Sequence, residues 1–481
     1  MNPAPPRLKS SRALVAVLVL LATAATLRAF VVWSHDPLYA YANSYDQTRY
    51  TTCFHFYPDR PESVPPQQNS PDAPYARYRF ITTADPMCYW SSEVAFGGAT
   101  ALIWKAEEVL TGRTVHDARW VGALRWLALL ALSAAFSRAW LRKGNARAAL
   151  ANTALLLLLF ADPGNTLYLN TFYAEWTALL GAYALLGLIV LFRDEPPTRT
   201  RFALLAFAAL VLATSKIQHM LLPLTLALVV LILDRVRLRR TSWRSIALAC
   251  GALAGLCVQV VQLQREGSMM DTIRQYNNAD VVFTALLPAV HDPRALLEEM
   301  GIDPDCAVHS GKRAWQLPDL PDRTCRGLDD FSRGKELGVL LRHPAIAMRL
   351  AAQGVLELDP WLAQNIGHVE GRPFEKIPPS VPSVGTLLHA SPVARMLLLA
   401  LPVLALFALL ARPGARRGSP ALDATALTVA LMVATVGVTL LGDGLADTAK
   451  QGHLVINAAL AWLLAGIIMG VPVRRWTAPA Q

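Results

Sequence analysis

The chain has 481 residues, 54% of them hydrophobic and 17% charged, with a formal net charge of +10. This balance excludes an ordinary soluble domain, because apolar runs approaching the length of a bilayer span, about 20 residues, recur along it. The basic excess is spread over the rims of these runs, which reads as membrane topology and not as a nucleic-acid surface.

Ten apolar runs occur, at roughly 12–33, 120–137, 148–162, 174–192, 202–214, 217–233, 246–263, 395–411, 422–441 and 454–472. In lipid the backbone must satisfy its own hydrogen bonds, so each run is expected to be a helix. The expected fold is an all-α polytopic membrane protein with about ten transmembrane helices. The first run is long and no small-residue cleavage site follows it, so it reads as a retained helix. With the N-terminus inside, the inner segments carry twenty Lys and Arg residues, against Lys216 and Lys450 in the short outer loops. That bias places both termini in the cytoplasm. The chain then divides into an N-terminus with the first helix (1–33), a first outer segment (34–119), helices two to seven (120–263), a second outer segment (264–394), and helices eight to ten with the C-terminus (395–481).

The first outer segment opens with "SHDPLYAYANSYDQTRY" and passes through "YPDRPESVPPQQNSPDAP", which reads as irregular. "SEVAFGGATALIWKAEEVLTG" follows, an amphipathic run suited to a membrane surface. The second outer segment mixes helical signals, such as "RHPAIAMRLAAQGVLEL", with the extended linker "EKIPPSVPSV". Cys53 and Cys88 fall in the first segment and Cys306 and Cys325 in the second. Two pairs confined to two outer segments point to two disulfides in an oxidising compartment. No CxxC metal pattern is present, and whether a divalent metal assists is left open.

The connector "GDGLADTAKQGH", 442–453, places two acids, a lysine and a histidine between apolar runs. On a helix, Asp443, Asp447 and Lys450 share one face, which Asn457 extends. Ionisable groups at membrane depth are expensive and usually functional. Other polar residues map to the same level: Asp36, Asp46 and Arg49 after helix one, Glu175 opening helix four, and Lys216 with His219 in a tight hairpin. Plainer roles exist for each. Asp46 suits an Asx turn or N-cap, Asp36 a turn before Pro37, and Glu175, Asp443 and Asp447 helix N-termini. Lys450 does not suit a first helical turn, where a cation opposes the dipole. Arg28 is expected to snorkel to the interface. Carboxylates beside cations suit glycosyl transfer from a lipid-linked phosphosugar. A carboxylate takes the acceptor's proton while cations hold the phosphate leaving group.

The blocks "ANSYDQTRY", "NTFYAEWTALL", "ATSKIQH", "NNADVVFTALLP" and "GDGLADTAKQGHLVINAALAW" run in order through most of the chain. Together they resemble the GT-C superfamily of polytopic glycosyltransferases, and more narrowly the WsfD-like glycan-biosynthesis hexose transferases. The resemblance implies a polyprenyl-phosphate sugar donor, a glycan or lipid acceptor, and an acid of the first outer loop as general base. The matching acid is Asp46, although "NSYD" stands where relatives have Asn-Gly before it, and Asp36 and Glu175 stay catalytic candidates. Donor-phosphate contacts are then expected from Lys450, Lys216, Arg49, His219 and His453, with Asp443 and Asp447 positioning the sugar. The implied setting is a bacterial inner membrane with a periplasmic active site. The competing classes are a transporter or flippase of lipid-linked saccharides and a non-catalytic scaffold. Transporters usually carry polar residues near the bilayer midplane, whereas here the charges cluster at one face.

Overall fold

The structure is a computed structural model that describes residues 12–42, 44–59, 74–82, 88–238, 242–265, 268–359, 367–372, 375, 381–412 and 419–470. Residues 60–73 of the Pro-rich stretch 57–74 and 376–380 of the linker 375–384 lie outside them. The helices in the first half are α1 Arg12–Trp33, α2 Ser44–Thr51, α3 Val94–Thr111, α4 Arg119–Arg142, α5 Ala146–Leu155, α6 Pro163–Thr166, α7 Glu175–Leu191, α8 Arg199–Ser215, α9 Leu222–Leu238 and α10 Trp243–Gln264. The second half adds α11 Ser268–Asp280, α12 Pro293–Met300, α13 Pro321–Thr324, α14 Arg333–Arg342, α15 Pro344–Leu356, α16 Val384–Ala390, α17 Pro392–Ala411, α18 Pro420–Asp443, α19 Thr448–Gln451 and α20 His453–Gly470.

Every expected membrane run is helical. Seven helices among the described residues are long and apolar enough to span a bilayer: α1, α4, α10, α17, α18, α20 and the stretch Ile217–Arg237 containing α9. The remaining three runs form α7, α8 and the helix Ala146–Phe160, whose last turn is π-helical. The protein is an all-α polytopic membrane protein. Local chemistry sets several starts. Asn145 accepts from Ala148 N at 3.0 Å, and Ser391 and Ser419 cap α17 and α18 with proline in the following position.

Glycine permits the closest packing in the bundle. A Cβ on Gly251 of α10 would lie 2.0 Å from the Ala206 carbonyl oxygen of α8, and one on Gly255 would lie 2.4 Å from Ala213 Cβ. Without a hydrophobic drive between helices in lipid, such approach is what gains packing energy. The rim bearing the Arg-rich loops also holds more than a topology signal. Arg193 pairs with Asp423 at 2.6 Å, Arg237 with Asp194 at 2.9 Å and Arg244 with Asp234 at 2.5 Å. The first two pairs tie α18 and α9 to the loop after α7, and the third ties α10 to α9.

At the opposite rim the two loop segments join. The strand β1, Tyr39–Ala42, pairs antiparallel with β5, Gly367–Val369, which lies more than three hundred residues on. A second sheet orders β2, Phe56–Pro58, beside β3, Arg77–Phe80, and β4, His116–Asp117. Its core packs Phe56, Tyr78, Trp104 and Phe172. Cys53–Cys88 and Cys306–Cys325 are both bridged, with Cα separations of 4.5 and 5.8 Å. Strands of two to four residues leave no usable alternation, and none was expected from the sequence.

Gly251→Leu should force α8 and α10 apart and lower stability by about 1–3 kcal/mol. Gly466→Leu on α20, where a Cβ meets nothing within 4 Å, should leave the melting temperature nearly unchanged. Thermal unfolding of the two variants in the same detergent checks the contrast.

Candidate functional site

The Asp443–Lys450 stretch is not a continuous helix. α18 ends at Asp443, and Gly444 takes φ +60°, a conformation that a side chain would strain. A Cβ there would also lie 2.6 Å from the Asp280 carbonyl oxygen. The chain turns and re-forms helix as the single turn α19 before α20 begins. The shared helical face expected for Asp443, Asp447 and Lys450 is therefore replaced by a broken turn. That turn keeps Asp447 with Lys450 but gives Asp443 a different partner.

Lys450 is buried, and its Nζ donates to Asp46 Oδ2 at 2.7 Å and pairs with Asp447. Asp46 stands in the first turn of α2, where Arg49 meets its other oxygen at 2.9 Å. The Tyr173 ring lies 5.6 Å from Lys450 Nζ. Lys216, just past α8, donates to Glu175 Oε1 at 2.6 Å and Gln451 Oε1 at 2.8 Å. Gln451 in turn donates to Asp443 Oδ2 at 3.2 Å. Thus Asp443 acts on Gln451, not on Lys450, and Glu175 engages Lys216. A chain of alternating charge runs from Arg49 through Asp46, Lys450 and Asp447, beside a second chain from Glu175 through Lys216 and Gln451 to Asp443.

Electrostatics follow from this packing. Burial opposes ionisation of Asp46, but Lys450 and Arg49 outweigh it and hold the carboxyl well below its usual range. Burial likewise opposes the Lys450 charge, and Asp447 with Asp46 keeps the ammonium well above its usual value. Burial pushes the Asp447 carboxyl up to about 6 against the pull of Lys450, helped by Asp443 behind it. Asp280, at the end of α11, is pushed well above the carboxylate range by burial and by Asp443.

The loop before α7 is shaped from below by Arg125, a fully buried side chain within the α4 span. Its guanidinium donates to the carbonyls of Tyr168, Leu169 and Tyr173 at 2.7–2.9 Å and pairs with Glu93. This clamp delivers Tyr173 and Glu175 to the cluster. Neither Arg125 nor Glu93 was a candidate from the sequence, although a lone arginine inside an apolar run was the available signal. Gln451 and Asp280 were likewise not singled out, though both lie in blocks that carried the resemblance.

The family model described as the YfdI N-terminal transmembrane domain matches residues 11–476. The chain belongs to that family. The match spans every residue of the charged cluster and both disulfides. No curated protein and no solved structure matches. In this YfdI-family chain several expected contacts lie elsewhere. The Asp36 side chain is 92% exposed, 3.9 Å from Arg119 and apart from the cluster. His219 is buried with Nδ1 2.9 Å from Ser215 Oγ. The His453 ring nitrogens face the carbonyl oxygens of Lys450 and Glu175 at 3.0 and 3.2 Å, so its ring braces the site from within. Arg28 does not snorkel. It clamps Asp162 at 2.9 Å and the carbonyls of Leu157 and Pro382 at 2.8 Å each. Asn457 pairs with Asn165 and not with the acids. Among the described residues no group of three or more His, Cys, Asp or Glu side chains is placed to hold a metal ion.

The Asp447 shift has a testable sign. A carboxyl raised on folding from 3.8 to about 6 contributes stability that is full below the lower value and is lost as pH rises through the upper. Asp46, shifted down, contributes in the opposite sense and loses its share only as pH falls through the acid range. Between pH 4 and 7 the wild type should therefore lose about 2 kcal/mol relative to Asp447→Asn. Unfolding of both proteins across that range measures the difference.

Proposed function

We propose that this protein is a membrane glycosyltransferase that moves a hexose from a polyprenyl-phosphate donor to a cell-envelope glycan or lipid acceptor at the cluster. The observation that carries the reading is the Asp46–Lys450 contact, a carboxylate and an ammonium held together at one membrane rim. Two further supports exist. The family is one of membrane glycosyltransferase-like proteins, and the sequence blocks resemble those of WsfD-like hexose transferases. The site would face the periplasm of a bacterial inner membrane, with both termini cytoplasmic.

In this reading Lys450 is shared between two states. In the free protein it holds Asp46 ionised but weakly basic. A donor phosphate entering the cluster draws Lys450 and Arg49 towards its oxygens, and the proton affinity of Asp46 rises. Asp46 then takes the proton of the acceptor hydroxyl, and the acceptor oxygen attacks the anomeric carbon. The bond from that carbon to the phosphate oxygen breaks, and its electron pair leaves on the phosphate. Cations positioned where this charge develops lower the barrier. The Glu175–Lys216 pair keeps a second cation beside the first. The alternative reading, transport of a lipid-linked saccharide, usually places polar groups near the midplane. The two buried lysines instead stand just past α8 and just before α20, at helix ends.

Reconstituted protein with a polyprenyl-phosphate hexose and acceptor lipids tests the assignment. Asp46→Asn should cut turnover by about 10²–10⁴-fold with donor affinity largely kept. Lys450→Ala should weaken donor affinity roughly ten- to a hundredfold. Asp36→Asn should behave as wild type. Movement of the donor across the bilayer without transfer would establish transport in its place.

A further inference from the structure

We propose that Trp315 is the stacking platform of an acceptor subsite, on which the sugar rings of a saccharide chain lie while the end of the chain reaches the charged cluster. This rests on the reading above and deepens it, by making the acceptor a glycan chain. A lone exposed apolar side chain needs no explanation. Trp315 differs in how firmly its loop is held. It stands in the single helical turn Ala314–Gln316 and is 46% exposed. The Cys306–Cys325 bridge closes the stretch around it. Gly311 N donates to the Phe283 carbonyl at 2.7 Å, Ala314 N to Asp280 Oδ1 at 2.7 Å, and Arg313 N to Gln316 Oε1 at 2.9 Å. The indole is therefore presented on a fixed backbone, with little conformational entropy left to lose on binding.

The surroundings point to what lies on it. The Arg313 guanidinium packs over the ring, 5.4 Å from its centre. Lys312, Gln316 and Asp319 are exposed on either side of it in the chain. An apolar plate with a polar rim suits a sugar ring, whose C–H face is apolar and whose hydroxyls meet donors and acceptors at the edge. Acyl chains would leave those polar groups without partners. The position suits an acceptor. Asp280, which receives the Ala314 N–H, has its own carbonyl oxygen against Gly444 of the broken turn, 2.6 Å from where a Cβ would stand. Arg313 acts electrostatically on Asp280 and on Glu357, whose carbonyl accepts from Thr448 Oγ1 of α19 at 3.4 Å. The platform thus borders the turn that carries Lys450 without belonging to the charged cluster. Sugar rings held there supply binding energy remote from the reacting hydroxyl, so a chain engages the platform and a single sugar does not.

Saturation-transfer NMR on the full chain in nanodiscs tests this without any turnover. The probes are isomaltohexaose, laminarihexaose and chitohexaose, with glucose as the single-sugar control. The wild type should bind at least one of the three chains, with saturation strongest on ring C–H protons, and should bind glucose far more weakly. Trp315→Ala should weaken binding of that chain about tenfold or more, as truncation of a tryptophan anchor does. Trp315→Phe should recover part of the loss, since it restores an aromatic face. Both variants keep the backbone bond from residue 314 to Asp280, so the loop stays in place. Asp46→Asn should bind the chain as the wild type does. Chain binding that depends on Trp315 in a protein that transfers no sugar would uphold the platform and contradict only the transferase reading. Failure of the wild type to bind any of the three chains, or equal binding by Trp315→Ala, would overturn the proposal.

Discussion

Two lysines at the site rim are buried, Lys450 and Lys216, and each is met by a carboxylate from a distant part of the chain. An unpaired ammonium in such a place would cost several kcal/mol. Asp46 comes from the first loop segment, 404 residues from Lys450, and Glu175 from the start of α7. The cluster therefore fixes where four otherwise separate pieces must meet: α2, the start of α7, the segment just past α8, and the broken turn between α18 and α20. Removing one charge would strand its partner, so the pieces are bound to one another electrostatically as well as by packing.

The supports around the cluster follow from the same constraint. Arg125 satisfies four carbonyls of a non-helical stretch, where backbone groups away from water need partners. His453 lies between the carbonyls of Lys450 and Glu175, and its ring N–H serves one of them. On the far side Asp280 accepts from Ala314 N at 2.7 Å and lies against Gly444, joining the second loop segment to the turn. The β1–β5 pairing closes the two segments into one cap above the helices. A rigid frame of this kind suits a site whose working parts are a few charges that change partners.

Much of this was legible in the sequence, for identifiable reasons. Apolar length is a strong and local signal, so all ten helical runs stood out. The disulfides could be paired because each loop segment held two cysteines and the other two lay in a membrane run. Asp46, Glu175, Lys216 and Lys450 were visible as charges at apolar edges. Their pairing was not, because it depends on how distant helices pack. The helical stripe through Asp443 and Lys450 failed at Gly444, where a positive φ ends α18. Arg125 was passed over because its run still read as apolar, and the acids that clasp the Arg-rich loops were hidden by the topology signal of the arginines themselves. The short strands were invisible because each needs a partner from another part of the chain.

The central claim is that the Asp46–Lys450 pair opens to receive a donor phosphate. A cryo-electron microscopy structure of the protein in nanodiscs with a bound polyprenyl phosphate tests it most directly. The expected result is a phosphate oxygen about 3 Å from Lys450 Nζ, within hydrogen-bond range, with the Lys450–Asp46 contact lengthened and the Asp46 carboxylate turned towards the open side of the phosphate. A phosphate bound away from the cluster, with Lys450 still closed on Asp46 and Asp447, would contradict it.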